Sequence, residues 1–360
     1  MKHFRFCWIA FLCLGLVSKK NQDAPLFFEL PIQINEGVER IKIGELKEEG
    51  FIAPVSIELA KNSDGPLFYE SNVRTTVCDD EICEIMYIRL YWDLIGDYVG
   101  YDTLTNHPLT KFDHQPFTDK DYGRLHELLK NDGSILKFKQ KSELIDKEKV
   151  KASDVVDGTT GATALEIKEE VVEGALYSSY TLWHLAYNGT IKNILTANTQ
   201  HELDEKLLVN LLDSERSGYK LFAFHNFDQK DYISYKSYWL RSLKEEMPLT
   251  RKYIIKNIPD ELWGSFSVQE EVCELFDVFD VNTKTYLLNK LEETENISSL
   301  SIEYVSADLT RMNRNQTKQF LTILSSKNKL TPTTYENLKS ALNDKNFNYS
   351  YLINEYNLVD

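Results

Sequence analysis

The clearest hydrophobic pattern in the chain is a strict alternation over residues 85–92, Ile-Met-Tyr-Ile-Arg-Leu-Tyr-Trp. Successive side chains of a strand point to opposite faces, so every second residue shares a face. The residues on the apolar face are Met86, Ile88, Leu90 and Trp92. Gly96-Asp97 then favours a turn, and the run 98–101 returns as a second strand. This part of the chain therefore predicts a β-hairpin.

Shorter apolar alternations precede the hairpin. They cover residues 26–28, 32–34, 41–43 and 55–59. Each is brief, and turn-forming residues separate them. Together they predict a small β region over residues 24–75.

After residue 163 the apolar spacing becomes helical. Residues 164–184 hold no proline and a single glycine, Gly174, which predicts one helix of about five turns. Its apolar positions form two rows, Ile167, Val171, Ala175 and Leu182 on one side and Leu165, Val172, Leu176 and Trp183 on the other. Apolar residues on two sides predict a helix that is buried between layers.

The remainder of the chain, from about residue 188, has helical spacing throughout. The predicted helices are 201–212, 232–246, 248–256, 268–277, 284–294, 299–312, 316–325 and 333–343. Short loops that contain glycine or proline join them. The spacing resembles a degenerate array of helical repeats, although no strict repeat is visible. Such arrays mostly bind partners, and the alternative is a region that only packs on the rest of the protein.

A long segment, residues 106–155, separates the hairpin from the helical part. It contains a predicted helix over 119–129 that Thr118 or Asp119 caps, and a charged linker over 137–151. Asp113 and His114 invite a metal or acid–base interpretation. Neighbouring side chains point apart in most backbones, and no His-x-x-x-His pattern is present. We therefore expect this pair to shape a loop.

These patterns predict an α+β fold, with a small antiparallel sheet, a helix packed on it and an all-helical, repeat-like C-terminal region. The expected divisions are residues 1–18, 24–75, 76–187 and 188–360.

The first residues predict export. A short basic stretch, residues 1–5, precedes an apolar run over 6–17 that is too short to span a bilayer. This arrangement is typical of a signal peptide, with cleavage expected after Ser18. A lipoprotein signal at Cys13 is disfavoured, because Leu12 stands where a small residue is needed. We expect an extracytoplasmic protein, periplasmic or secreted, with no membrane span in the mature chain.

Charge and cysteine content narrow the partners and the compartment. The formal net charge is −15 and no basic cluster is present, which disfavours nucleic acid and anionic membrane surfaces as partners. Cys78 and Cys83 close a small loop before the hairpin strand, and in an oxidising compartment we expect a structural disulfide between them. A redox-active pair is the alternative. Cys273 lies in an apolar helical segment and is expected to be a buried thiol.

The most distinctive motif is Asp-Gly-Thr-Thr-Gly-Ala-Thr at residues 157–163. Asp157 and Gly158 favour a tight turn, and Gly161 lets a ligand or another backbone approach closely. Thr163 stands at the start of the predicted helix, where free N–H groups and a positive dipole favour a phosphate. The alternative is structural, because Thr163 and Glu166 also form a capping-box pattern.

These residues resemble the flavinylation motif Asp-x-x-Ser/Thr-Gly-Ala-Ser/Thr of the FMN-binding domain family. The motif residues are Asp157, Thr160, Gly161, Ala162 and Thr163. The resemblance covers roughly residues 76–190, including the hairpin. It implies that a flavin transferase esterifies FMN through its phosphate to the Thr163 hydroxyl. It also implies a redox partner protein, which the C-terminal helices could bind.

Two functions follow as expectations. The first is an exported flavoprotein that carries covalent FMN for extracytoplasmic electron transfer, a redox carrier rather than a stand-alone enzyme. The second is a non-catalytic exported binding protein with the same fold, no cofactor, and helices that bind a partner.

Overall fold

The structure is a computed structural model, and it describes most of the chain in several stretches. The described residues are 26–32, 34, 37–47, 53–77, 85–104, 107–111, 114–145 and 165–358. Two compact units divide between His201 and Glu202. The first contains a sheet with three α-helices, and the second is helical. The fold class is therefore α+β, as predicted.

The sheet is antiparallel and has six strands. They are β1 Phe27–Phe28, β2 Glu39–Leu46, β3 Val55–Asn62, β4 Gly65–Thr75, β5 Met86–Trp92 and β6 Tyr98–Thr103. Their order is β1-β6-β5-β4-β3-β2. The predicted hairpin is β5–β6, paired from Ile88 with Thr103 to Trp92 with Tyr98. Because β4 pairs with β5 along its length, the expected division at residues 75/76 falls inside one sheet.

One face of the sheet carries the helices of the first unit. They are α1 Asp119–Lys130, α2 Leu176–Ala186 and α3 Gly189–His201. Trp92 of β5 donates its indole N–H to the carbonyl of Ala186 at 2.8 Å. The Tyr69 hydroxyl of β4 lies 2.7 Å from Oγ1 of Thr199 on α3. These buried hydrogen bonds fix helices to specific strands, since an unpaired buried donor would cost free energy.

The opposite face is covered by the N-terminal segment of the described chain. The core cluster there contains Leu30, Ile34, Ala60, Phe68, Tyr91 and Val99. The ring of Phe28 packs edge-on against Phe68 and Tyr91, with centroids 5.1 and 5.3 Å away. The sheet is therefore buried on both sides in this region, which explains why Tyr91 is buried although its neighbours in the alternation are polar.

The single long helix predicted for residues 164–184 is wrong. Residues Leu165–Glu170 form a 3-10 helix, and α2 begins only at Leu176. Gly174 has a φ of +79°, a left-handed conformation that ends helical geometry and favours glycine. The prediction of burial is confirmed, because Ile167, Val172 and Trp183 are all buried.

The helix predicted in the long central segment is confirmed, with its cap. In α1, Oγ1 of Thr118 accepts from the backbone N–H of Asp121, and the Asp121 carboxylate accepts from the N–H of Thr118. This reciprocal capping box satisfies N–H groups that have no partner inside the helix. Lys111 adds an ion pair to Asp121 at 2.8 Å, which holds the preceding loop against the helix start.

The second unit consists of helices. They are α4 Glu205–Asp213, α5 Ser217–His225, α6 Gln229–Ser234, α7 Lys236–Glu245, α8 Pro248–Asn257, α9 Asp260–Trp263, α10 Phe266–Cys273, α11 Val281–Glu293, α12 Ser299–Ala307, α13 Arg314–Lys327, α14 Pro332–Asn343 and α15 Ser350–Glu355. The predicted helix 201–212 is wrong at its start, because His201 ends α3 and Asp204 caps α4. The helical region therefore begins with α3, and α3 belongs to the first unit. No helix in the described residues is long and apolar enough to cross a membrane.

Candidate functional site

The residues expected to carry cofactor chemistry lie outside the described stretches. These are Asp157, Thr160, Gly161, Ala162 and Thr163, together with the expected disulfide residues Cys78 and Cys83 and the signal segment 1–18. The structure therefore neither brings the motif residues together nor separates them. Their roles remain predictions.

The chain that follows the motif is firmly attached. Glu166 of the 3-10 helix pairs with Lys139, and the Glu169 carbonyl accepts from Arg124. On α2, the indole of Trp183 donates to the carbonyl of Asn131 at 2.9 Å, and the Tyr180 hydroxyl donates to that of Lys139 at 3.0 Å. Segment 131–141 is thus the platform on which this part of the chain lies.

One sequence argument for phosphate binding is lost at this point. The motif is followed by a six-residue 3-10 helix instead of a long α-helix. An α-helix N-terminus offers several aligned N–H groups and a dipole, whereas a short 3-10 turn has poorer alignment. Support for an anchored phosphate at Thr163 therefore comes from the motif alone.

A buried polar cluster joins α1 to the sheet and to the N-terminal segment. The Tyr98 hydroxyl lies 3.0 Å from Nδ1 of His126, and Nε2 of His126 lies 3.3 Å from Oε1 of Glu29. Lys130 also reaches that carboxylate, at 2.8 Å. Burial lowers the pKa of His126, partly offset by Glu29, and burial holds the pKa of Tyr98 well above its usual value. The phenol therefore stays a donor and the imidazole is favoured in its neutral form.

This cluster has the residue types of a proton relay without access to a substrate. Tyr98 and His126 are each 6% exposed, so neither can meet a ligand from solvent. Both ring nitrogens of His126 are used, one accepting from Tyr98 and one donating to Glu29. The arrangement is suited to holding the N-terminal segment in place. Among the described residues, no group of three His, Cys, Asp or Glu could hold a metal ion.

The helices of the second unit repeat at a fixed interval. The residues that cap α8, α11 and α13 are Met247, Asp280 and Asn313, which are 33 residues apart in both steps. The residues that cap α10, α12 and α14 are Ser265, Ser298 and Thr331, again 33 residues apart. Three consecutive two-helix units therefore share one period.

Equivalent positions of the three units are buried alike. One position is Ile254, Leu287 and Phe320, and another is Val272, Val305 and Leu338, all 0% exposed. The first helices of the units, α8, α11 and α13, pack side by side, and the second helices, α10, α12 and α14, do the same. Each unit therefore completes its core against the next, as in helical-repeat arrays.

Buried amides connect neighbouring units. The side chain of Gln269 donates to the carbonyl of Asn296 at 3.0 Å and accepts from the N–H of Ser298 at 2.8 Å. Gln316 donates to the carbonyl of Val281 at 2.8 Å. These bonds satisfy backbone groups at the helix starts of the adjacent unit. They align one unit with the next.

The repeat was present in the sequence but was not found by inspection of apolar residues. The signal lies in the interval between capping residues, since Ser265, Ser298 and Thr331 recur at 33 while the rest of each unit diverges. Cys273, expected to be a buried thiol, is 0% exposed and free, and burial raises its pKa to about 12. Its pKa makes a reactive thiolate role unfavourable.

No protein-family model, no curated protein and no solved structure matches this chain. Its function must therefore be argued from the geometry above.

Proposed function

We propose that this protein is a non-catalytic binding protein, and that the helical array of residues 247–345 is its partner-binding part. The observation that carries the proposal is the 33-residue period of three two-helix units. Helical repeats of this kind stack into extended surfaces, and such surfaces serve to bind other macromolecules. The buried clusters described above offer no accessible group for catalysis.

An exposed apolar patch on the array supports this function. It consists of Met247, Leu249, Val278 and Val281, which are 47–65% exposed. These residues stand at the starts of α8 and α11, and Arg251 links them by donating to the carbonyls of Lys244 and Val278. Several exposed apolar residues in one place indicate an interaction site more strongly than single ones do.

Site-specific photo-cross-linking in the native host tests the proposal. A photoreactive residue at position 249 should give a discrete cross-linked product with one partner protein. The same residue at Phe138, which is 76% exposed in the first unit, should not give that product. A second change, Val281→Asp, should remove the product from position 249. If positions 249 and 138 give the same products, or none, the array is not the binding part.

A second candidate function is favoured by the seven-residue motif. We propose that Thr163 is the attachment point of a covalent FMN, installed by a flavin transferase, and that the protein then serves as an extracytoplasmic electron carrier. The flavin would supply the redox chemistry. Gly161 and Ala162 leave space beside the hydroxyl, and Asp157 forms the turn that precedes it. The support for this candidate is the sequence of residues 157–163.

The mass of the exported protein tests the flavin proposal. Co-expression with a flavin transferase should add one FMN that survives denaturation. Thr163→Ala should abolish the addition, while Thr163→Ser should retain part of it, because the hydroxyl is the nucleophile. Folded wild-type protein that carries no adduct under these conditions would remove this candidate and leave the binding proposal untouched.

A further inference from the structure

A strip of aromatic rings lies on the first helices of the second unit. Phe227, Tyr235 and Tyr238 are each partly exposed, and their ring centroids follow one another at 5.7 and 6.1 Å. Tyr235 stands between α6 and α7, and Tyr238 lies one turn further along α7. Exposed aromatic faces are unusual without a ligand, because each ring carries a large apolar area and a negative π-face.

At one end of the strip the protein already binds a cation in this way. The guanidinium of Arg241 lies 5.0 Å from the centroid of Tyr238. Asp213 of α4 accepts from Arg241 at 3.1 Å and from the Tyr238 hydroxyl at 3.3 Å. A ring face and a carboxylate thus hold one positive charge between them, which is the arrangement that favours cation–π contacts.

Tyr235 has the same surroundings without the cation. Burial, together with the negative charges of Glu205 and Asp231, raises the pKa of its phenol. Within the described part of the chain, no Lys or Arg lies over its ring and its hydroxyl makes no hydrogen bond. An open hollow of about 510 Å³, which Glu205 and Asn210 help to line, leaves room beside α4.

The charge around this strip favours a basic ligand. Between Glu202 and Asp231 the chain carries seven Asp or Glu residues and four Lys or Arg residues. One of those four, Lys220, is already paired with Glu246 at 2.6 Å. The excess of carboxylates lies around rings that attract positive charge, so both effects favour the same class of ligand.

We propose that Tyr235, flanked by Glu205 and Asp231, binds a lysine or arginine side chain of the partner, so that the partner presents a basic peptide segment. This proposal rests on the binding function proposed above and specifies the chemistry of the partner. The Arg241–Tyr238–Asp213 contact is the template for the intermolecular contact.

Calorimetric titration of the full chain with defined peptides tests this inference. The probe is acetyl-(Arg-Gly)4-amide, and its controls are the same peptide with citrulline in place of arginine and the peptide acetyl-(Glu-Gly)4-amide. The arginine peptide should bind, and the two controls should not. Citrulline keeps the shape of arginine without its charge, so equal binding of the citrulline peptide would overturn the proposal.

Variants locate the site. Tyr235→Leu should weaken binding of the arginine peptide by about two- to fivefold, the range of an exposed cation–π contact. Tyr235→Phe should retain binding, and Glu205→Gln should weaken it. The matched controls Tyr304→Leu and Glu274→Gln, which lie in the same unit away from the strip, should have no effect.

Two further results would overturn the inference. The first is equal weakening by the control variants, and the second is no binding of the arginine peptide to wild-type protein. If Tyr235→Leu unfolds the protein, Tyr235→Phe and Glu205→Gln still decide. Failure here leaves the cross-link at position 249 intact if the array binds a partner of different chemistry, so the two proposals fail separately.

Discussion

The imidazole of His126 lies parallel to the phenyl ring of Phe27, with centroids 4.4 Å apart and an interplanar angle of 12°. Phe27 belongs to β1, which is only two residues long and pairs with β6 through two positions. So short an edge strand gains little from its ladder. The stacking on His126 and the contact of Glu29 with His126 and Lys130 therefore stabilise the N-terminal segment on the sheet.

We predict that this attachment weakens in acid through His126. Its folded-state pKa is lowered by burial, so the folded protein binds this proton less tightly than the unfolded chain does. The stabilisation is present above the unfolded pKa of about 6.5 and decreases as pH falls below it. The free energy of unfolding of wild-type protein should fall between pH 7 and pH 5, and that of His126→Gln should fall less.

Urea denaturation at each pH measures this difference. His184 and His225 also have lowered pKa values and contribute in the same direction, so the comparison of the two proteins isolates His126. Parallel curves for wild type and His126→Gln would show that His126 does not contribute to the pH dependence.

Gly100 tests the close approach of β1 to β6. A Cβ at this position would lie 2.1 Å from the carbonyl oxygen of Phe27, so β1 must move. We expect Gly100→Ala to cost about 1–3 kcal/mol, as overpacking does. It should also increase hydrogen exchange at the backbone N–H of Glu29, which donates to the carbonyl of Val99 at 2.9 Å.

Gly123→Ala is the matched control for that change. Gly123 lies in α1 and a Cβ there meets nothing within 4 Å. Alanine in a helix interior should stabilise the protein by about 0.5–1 kcal/mol. Destabilisation by both substitutions would show that contact with Phe27 is not the cause.

The middle repeat contains a buried ion pair that we expect to be sensitive to removal of one partner. Lys284 pairs with Asp308, and their side chains are 9% and 1% exposed. Lys284→Met should cost about 3–5 kcal/mol, because a buried carboxylate loses its buried partner. The double variant Lys284→Met/Asp308→Leu should recover most of this loss in thermal or urea unfolding.

The exposed pair Lys236–Glu271 provides the comparison, since its side chains are 32% and 37% exposed. Lys236→Met should cost less than about 1 kcal/mol, as surface pairs do. Similar losses for Lys236→Met and Lys284→Met would contradict the assignment of a special role to burial.

Cys78 and Cys83 should be joined in the exported protein. Both stand in a short acidic loop between β4 and β5, and an oxidising compartment favours their pairing. Non-reducing peptide mapping should find one peptide pair linked by a disulfide. Two free thiols in protein recovered from outside the cytoplasm would show that the prediction is wrong.

Local patterns in the sequence were sufficient for several elements. The alternation of residues 85–92 predicted β5, and Gly96-Asp97 predicted the turn to β6. Thr118 predicted the start of α1. These features depend on residues only a few positions apart, so a single stretch of sequence contains all the information needed.

Strand β4 shows what local patterns could not provide. It is the longest strand, yet Glu70, Ser71 and Asn72 make its centre look like a loop. Glu70 is only 1% exposed, because Arg40 from β2 pairs with it at 2.7 Å across the sheet. The partner lies 30 residues away in the chain, so no local pattern predicts that this carboxylate can be buried.

The sequence by itself determined the α+β class, the β5–β6 hairpin, most helices of the second unit and the burial of Cys273. Only the tertiary structure decided the strand order, the break at Gly174 and the stacking of three equivalent helix pairs. The physical reason is the range of the interactions: hydrophobic periodicity and capping act within one or two turns, whereas strand partners and repeat interfaces form between residues far apart in the chain.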